Sequence, residues 1–177
     1  HDGRSFATRR TQAYQDGKPI LSMIASFQTE DEGIDHQLAM PTGLPDPESL
    51  PSAADVLKDS EHPVAQFWAN RRAFDLRHIE SPIYFEVAGQ PVAHQAVWMR
   101  AVGELPDDKN LHRAALAYAS DYSILEPVLR GHGLSWGTPG LKVASLDHAM
   151  WWHRFGRADQ WLLYTQESPS AMGGRGL

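Results

Sequence analysis

Residues 106–125 read PDDKNLHRAALAYASDYSIL, and this stretch holds the strongest helical pattern of the chain. Apolar side chains recur along it at helical spacing: Leu111, Ala114, Ala115, Tyr118, Ile124 and Leu125. Asp107 is placed to cap the first turn, where a carboxylate accepts from unpaired backbone N–H groups. The pattern predicts one long helix over 107–125, with alanines that allow a sheet to pack closely against it.

Strand-like segments lie on both sides of this helix. Residues 74–79, 83–88 and 93–102 precede it, 141–154 and 160–167 follow it, and all are rich in β-branched and aromatic residues. Glycine and proline separate these segments, as expected of turns. One long helix among antiparallel strands predicts an α+β fold.

The first part of the chain predicts a hairpin followed by a linker. Strand-like runs at 4–14 and 18–28 flank an Asp-Gly pair, a strong hairpin signal because glycine accepts positive φ. From residue 30 to 52 the periodicity is lost and prolines accumulate, which predicts an irregular linker. Short helices are expected over 53–59 and 63–73, where they extend this linker.

Composition excludes several classes of function. The chain has 177 residues, 42% of them hydrophobic, a formal net charge of −6 and no cysteine. Basic residues occur in pairs and form no long stripe, so nucleic acid is not an expected partner. No stretch approaches the roughly 20 apolar residues of a membrane span. The lack of cysteine excludes disulfides and thiolate chemistry, is compatible with a reducing compartment, and leads us to expect a cytoplasmic protein.

Nine histidines raise the question of a metal site. His148 and His153 lie five residues apart on a predicted strand and should face opposite ways. No helical His-Glu-x-x-His motif is present. We therefore expect neither a metal nor a cofactor.

Asp121 and Ser145 are the candidate functional residues. Asp121 is in register with the apolar positions of the predicted helix, which places a carboxylate on the face expected to be buried. Such a carboxylate either serves a function or is satisfied by neighbouring groups such as Ser120 and Ser123. Ser145 shares one face of a predicted strand with Asp147, and His148 lies on the other face, which argues against a Ser-His-Asp triad. The pattern alone leaves both roles open.

Segments along the whole chain resemble the acyl-CoA thioesterase II (TesB-like) family, and they occur in the same order. The matching segments are Asp2-Gly3-Arg4-Ser5-Phe6, Gly17-Lys18-Pro19-Ile20, Ala25-Ser26-Phe27-Gln28, Ala119-Ser120-Asp121-Tyr122, Ser145-Leu146-Asp147-His148-Ala149-Met150-Trp151, Trp161-Leu162-Leu163-Tyr164 and Gly174-Arg175-Gly176. The resemblance implies a double hotdog fold, in which each of two antiparallel sheets wraps a long helix.

The resemblance also implies a domain organisation. Residues 1–30 correspond to the C-terminal hairpin of the first hotdog unit, residues 31–73 to the linker between units, and residues 74–177 to the second unit. The start of the first unit and the last hairpin of the second are expected to be missing. Further assembly into a homo-oligomer is expected from the family.

The resemblance implies hydrolysis of fatty acyl-CoA to fatty acid and coenzyme A by an activated water. Asp121 and Ser145 match two of the family's catalytic positions, and the third, a glutamine, would lie beyond Leu177. No substrate-binding residue is assigned. The alternatives are a catalytically silent acyl-CoA-binding module and a hotdog hydratase, although Asp31 and His36 lack the Asn-Pro that the hydratases place between such residues.

Overall fold

A long antiparallel hairpin begins the chain. The computed structural model describes residues 2–177, and strands β1 (Phe6–Gln15) and β2 (Lys18–Gln28) pair from end to end. Asp16 has φ 49° and Gly17 has φ 75°, the positive values that a tight two-residue hairpin turn requires. The hairpin predicted from the Asp-Gly pair is therefore confirmed.

Residues 29–41 continue from this hairpin without regular secondary structure, and the chain divides into two units between Pro41 and Thr42. The second unit begins with a single 3₁₀ turn over Pro47–Ser49. This irregular stretch agrees with the loss of periodicity in the sequence.

The second unit is built on a three-stranded antiparallel sheet. Its strands are β3 (Phe74–His78), β4 (His94–Ala101) and β5 (Leu162–Glu167), in the order β3-β4-β5. Successive side chains of β3 and β4 alternate between buried and more exposed positions, the period expected of strands with one face on a core. The strands predicted over 74–79, 93–102 and 160–167 are confirmed.

Four helices accompany this sheet. They are α1 (Ala53–Leu57), α2 (Pro63–Asn70), α3 (Lys109–Ser120) and α4 (Glu126–Gly131). The two short helices expected in the linker are thus confirmed. A small pairing of β6 (Ala171–Met172) with β7 (Arg175–Gly176) ends the described chain.

The main core lies between the sheet and one side of α3. Its fully buried members are Phe74, Leu76, Val97, Met99, Ala101, Ala119 and Ala158, and the α3 side chains of Ala115 and Leu116 pack against them. A second cluster joins Leu57 of α1 and Ala65 of α2 to Tyr84. The first cluster positions the C-terminal end of α3, where the candidate residues begin.

The predicted long helix is shorter than expected at both ends. Asp108, and not Asp107, caps α3, since its carboxylate accepts from the Asn110 N–H at 2.8 Å. The helix ends at Ser120, and a turn leads into α4. Pro127 lies in the first turn of α4, where a backbone N–H has no partner within the helix and a proline is therefore accommodated.

The predicted buried face of the helix is only partly correct: Ala115 packs against the core, but the larger side chains do not. Leu111, Tyr118 and Ile124 are exposed, with Tyr118 at 60%. His112 is fully buried instead, and its Nδ1 accepts from the Ala158 N–H at 3.1 Å. The core-facing side is displaced by about one residue from the predicted one and includes a buried polar side chain, which an apolar pattern does not reveal.

Two predicted strands do not form. Residues 83–88 contain no strand; instead, the Ile83 and Tyr84 carbonyls accept from the Trp136 and Gly137 N–H groups. Residues 141–154 are irregular and mostly exposed. Strand propensity records how well a side chain suits a pleated, half-buried surface, and a strand still needs a neighbour to pair with.

Candidate active site

Asp121 lies directly after α3 and forms its C-terminal cap. Its side chain is exposed, so the prediction of a buried carboxylate is wrong: α3 ends at Ser120, and the helical register used for the prediction does not extend to Asp121. The Ser145 Oγ donates to Asp121 Oδ1 at 2.8 Å, although the two residues are 24 positions apart. The structure therefore brings both candidate residues together.

Ser145 reaches Asp121 from the irregular segment 141–154, and not from a strand. The prediction that Ser145 and His148 face opposite sides assumed a strand, and no strand forms here. His148 Nε2 lies 3.3 Å from the Ser120 Oγ. Two side chains of one segment thus meet two successive residues at the end of α3.

This pair can orient a water molecule. A carboxylate has about four acceptor sites, and the Ser145 hydroxyl occupies one of them on Oδ1. The exposed position leaves the pair accessible to a substrate. A carboxylate beside an accessible water is suited to general-base catalysis, with a hydroxyl to fix the direction of attack.

Tyr164 approaches the same point from the sheet. Its hydroxyl donates to the Ser120 carbonyl at 3.3 Å, from the middle of β5. Burial raises the pKa of Tyr164, and the nearby Asp121 charge acts in the same direction. Periodicity and composition could not predict this contact, since a tyrosine in an apolar strand is usually part of the core.

Aromatic rings surround the residue that follows Asp121. Tyr122 meets Tyr118 edge-on, with ring centroids 5.3 Å apart. The Arg72 guanidinium lies between Tyr122 and Trp68, at 5.1 and 5.2 Å from the two ring centroids. Burial raises the pKa of Tyr122 to about 12, and a hydrogen bond with Tyr118 adds to this. These contacts brace the turn after α3.

A buried polar cluster lies between the sheet and α4; its members are His78, Gln95, Glu126, Arg130 and Gln166. His78 Nε2 donates to Glu126 Oε2 at 2.8 Å, since a carboxylate only accepts. Gln95 Nε2 donates to the same oxygen and to Gln166 Oε1, both at 2.8 Å. Sequence analysis singled out none of these residues, because buried and exposed polar side chains look alike in a sequence.

Within residues 2–177 no group of three or more histidine, cysteine or acidic side chains is arranged to hold a metal ion. In the same described part, no helix is both long and apolar enough to cross a membrane.

A family model described as acyl-CoA thioesterase matches residues 69–177. The chain belongs to the acyl-CoA thioesterase family. Among curated relatives, acyl-CoA thioesterase 2 of Haemophilus influenzae is 33% identical over 99% of this chain and 62% of its own length. Human acyl-coenzyme A thioesterase 8 is 36% identical over 99% of this chain and 57% of its own length. The chain thus spans about three fifths of these relatives.

Solved structures agree with this assignment. An acyl-CoA thioesterase II from Mycobacterium marinum is 42% identical, with a TM-score of 0.71 over 99% of this chain and 61% of that one. A protein of unknown function with a hotdog fold from Alicyclobacillus acidocaldarius is 21% identical, with a TM-score of 0.50 over 69% of this chain and 40% of that one, and it bears on the fold alone. The family resemblance and the α+β hotdog fold are confirmed, with α3 as a helix packed on an antiparallel sheet.

Proposed function

We propose that this chain forms part of an enzyme that hydrolyses fatty acyl-CoA to free fatty acid and coenzyme A. Membership of the acyl-CoA thioesterase family supports this reaction class. The observation that carries the residue assignment is the 2.8 Å hydrogen bond from Ser145 Oγ to Asp121 Oδ1. It joins the two positions that match the family's catalytic motifs.

In this proposal Asp121 is the general base. A water molecule held by its carboxylate attacks the thioester carbonyl carbon, and the proton of that water passes to Asp121. The resulting tetrahedral intermediate collapses with cleavage of the carbon–sulfur bond. Asp121 then returns the proton to the departing thiolate, so that coenzyme A leaves as a thiol and the carboxylate is regenerated.

Ser145 orients the carboxylate and the attacking water. Its Oγ already donates to Oδ1, which directs the remaining acceptor sites of Asp121 toward solvent. Correct placement of a reacting group is worth orders of magnitude in rate. No covalent acyl-enzyme is required, and Ser145 keeps its proton throughout.

The organisation of the enzyme is part of the same proposal. Residues 1–30 act as the C-terminal hairpin of a first hotdog unit, residues 31–73 as the linker, and residues 74–177 as the second unit. Pairing of hotdog sheets favours a homo-oligomer. The cysteine-free composition suits a cytoplasmic enzyme.

Thiol release from a long-chain acyl-CoA, measured with the full-length protein, tests the assignment. Asp121→Asn should lower kcat by about 10²–10⁴-fold, the usual contribution of a general base. Ser145→Ala should lower it by roughly 10–10²-fold, because only orientation is lost. Ser145→Thr should retain most activity, since the hydroxyl remains.

Asp147→Asn is the matched control, because it removes an exposed carboxylate two residues after Ser145. Its activity should stay within about twofold of the parent. An Asp121→Asn variant as active as this control would contradict the role of Asp121. A parent protein that binds acyl-CoA without releasing thiol would point instead to a silent binding module.

A further inference from the structure

The peptide group between Ser120 and Asp121 accepts a hydrogen bond from a side chain of the sheet. Tyr164 donates from its hydroxyl to the Ser120 carbonyl at 3.3 Å, across 44 positions of sequence. That carbonyl belongs to the peptide joining Ser120 to Asp121. The last carbonyls of a helix have no partner within the helix, so a side-chain donor there fixes the local backbone.

Tyr164 is itself well anchored. It pairs with Val97 across β4 and β5, and its ring packs against the main core. Two residues further along β5, Gln166 accepts from Gln95 at 2.8 Å, within the buried polar cluster, so the strand that carries Tyr164 is held on both sides of the sheet register. The sheet therefore restrains the Tyr164 hydroxyl, which has little freedom to follow a movement of the C-terminal end of α3.

The segment that carries Ser145 also contacts Ser120 and Asp121, the two residues that this peptide joins. The Ser120 Oγ lies 3.3 Å from His148 Nε2, and Ser145 bonds to Asp121. Asp121 is exposed, so no surrounding core restrains its side chain. Its direction depends on the orientation of the backbone that supports it.

We propose that Tyr164 is a positioning residue that holds the Asp121 carboxylate against Ser145 through its hydrogen bond to the Ser120 carbonyl. The inference rests on the proposed function of Asp121 and Ser145. Tyr164 touches neither the reacting water nor the substrate in this role. It acts on the rate only through the placement of Asp121.

Tyr164→Phe removes the hydroxyl and keeps the ring in the core. A misplacement of about 1 Å can cost about 10²-fold in rate, and a partial loss of restraint should cost about tenfold. We expect kcat to fall by about tenfold with KM within twofold, because an effect confined to the transition state lowers kcat and kcat/KM equally.

Tyr84→Phe is the matched control. Tyr84 is buried, and among the described residues its hydroxyl has no hydrogen-bond partner. This variant removes the same atom from a more deeply buried tyrosine that makes no contact with the Asp121 peptide. Its kcat should stay within twofold of the parent, and equal losses in the two variants would overturn the inference.

A double-mutant cycle separates positioning from simple loss of structure. If Tyr164 acts through Asp121, then Tyr164→Phe should have no further effect on the residual kcat of Asp121→Asn. If Tyr164 had only a structural role, Tyr164→Phe would lower kcat by the same factor in the parent and in Asp121→Asn. That result would overturn the proposal.

Amide hydrogen exchange gives a readout that does not require catalysis. Exchange within residues 119–122 should be faster in Tyr164→Phe than in the parent and unchanged in Tyr84→Phe. Equal exchange in all three proteins would refute the positioning role even in an active enzyme. A parent without thioesterase activity but with this exchange pattern would refute only the proposed function and leave the contact established.

Discussion

Replacing Glu126 by glutamine measures how much the buried polar cluster contributes to stability. Glu126 is 1% exposed and accepts three hydrogen bonds: from His78 and Gln95 on Oε2 at 2.8 Å, and from Trp136 on Oε1 at 2.9 Å. Glutamine has nearly the same shape but only one acceptor oxygen. Either orientation of the amide makes its NH₂ group face at least one of these donors.

The expected loss follows from these contacts. A hydrogen bond to a charged group contributes about 1.5–3 kcal/mol, and a buried donor left unpaired costs a further 1–3 kcal/mol. The glutamine oxygen retains part of the network, so we expect the free energy of unfolding to fall by about 3 kcal/mol. For a domain of roughly 150–250 residues this lowers Tm by about 6–12 °C.

The pH dependence provides a second measurement. Burial, the largest single influence, acts to raise the pKa of Glu126, but the His78 charge and the bonds from His78, Trp136 and Gln95 outweigh it and lower the pKa below 4.5. A group with a lowered pKa in the folded state stabilises the protein above its unfolded pKa, and this stability is lost as pH falls through the folded value. The difference in unfolding free energy between parent and Glu126→Gln should therefore narrow as the pH falls below about 4.5.

Urea unfolding followed by tryptophan fluorescence would measure both effects, since Trp136 contacts the cluster directly. Glu86→Gln is the control, because Glu86 is exposed and its replacement should change the free energy of unfolding by less than about 0.5 kcal/mol. A loss below about 1 kcal/mol in Glu126→Gln, or a difference that does not narrow in acid, would refute the reasoning.

Two further substitutions test local features by the same unfolding measurement. Ser52→Ala should cost about 1 kcal/mol, because Ser52 and Asp55 form reciprocal capping bonds at the start of α1, and an unchanged midpoint would contradict this role. Gly137→Ala should cost about 1–3 kcal/mol, because a Cβ there would lie 2.8 Å from Phe85 Cδ1 and 3.2 Å from Phe85 Cα. Gly33→Ala, with no atom within 4 Å of the added carbon, should be close to neutral.

Activity assays supply the remaining tests, through the Asp121 and Ser145 variants and through Tyr164→Phe with its Tyr84→Phe control. Together with the unfolding measurements they separate catalysis from stability. A variant that loses activity while keeping its unfolding free energy identifies a residue that acts in the reaction, either directly or by positioning another residue.

Local chemistry determined several elements directly from the sequence. The Asp-Gly pair at 16–17 predicted the turn of the first hairpin, since only residues tolerant of positive φ suit it. β-branched and aromatic residues between glycine and proline turns predicted β3 and β4, because such side chains suit a pleated, half-buried surface. The motif around Asp121 and Ser145 identified the family before any contact was known.

Features that depend on contacts between residues far apart in the sequence were decided by the tertiary structure. The core-facing side of α3 includes the buried His112, whose Nδ1 accepts from the Ala158 N–H, 46 positions away. Residues 141–154 have strand composition but remain irregular, because strand propensity cannot supply a neighbouring strand.

The candidate site shows the same division. Sequence motifs named Asp121 and Ser145, but only folding brought the hydroxyl to 2.8 Å from the carboxylate and placed Asp121 on the surface. Neither the contact from Tyr164 nor the burial of Glu126 could be predicted from periodicity or composition. Hydrogen bonds between side chains far apart in sequence depend on how whole elements pack, and no local pattern records that packing.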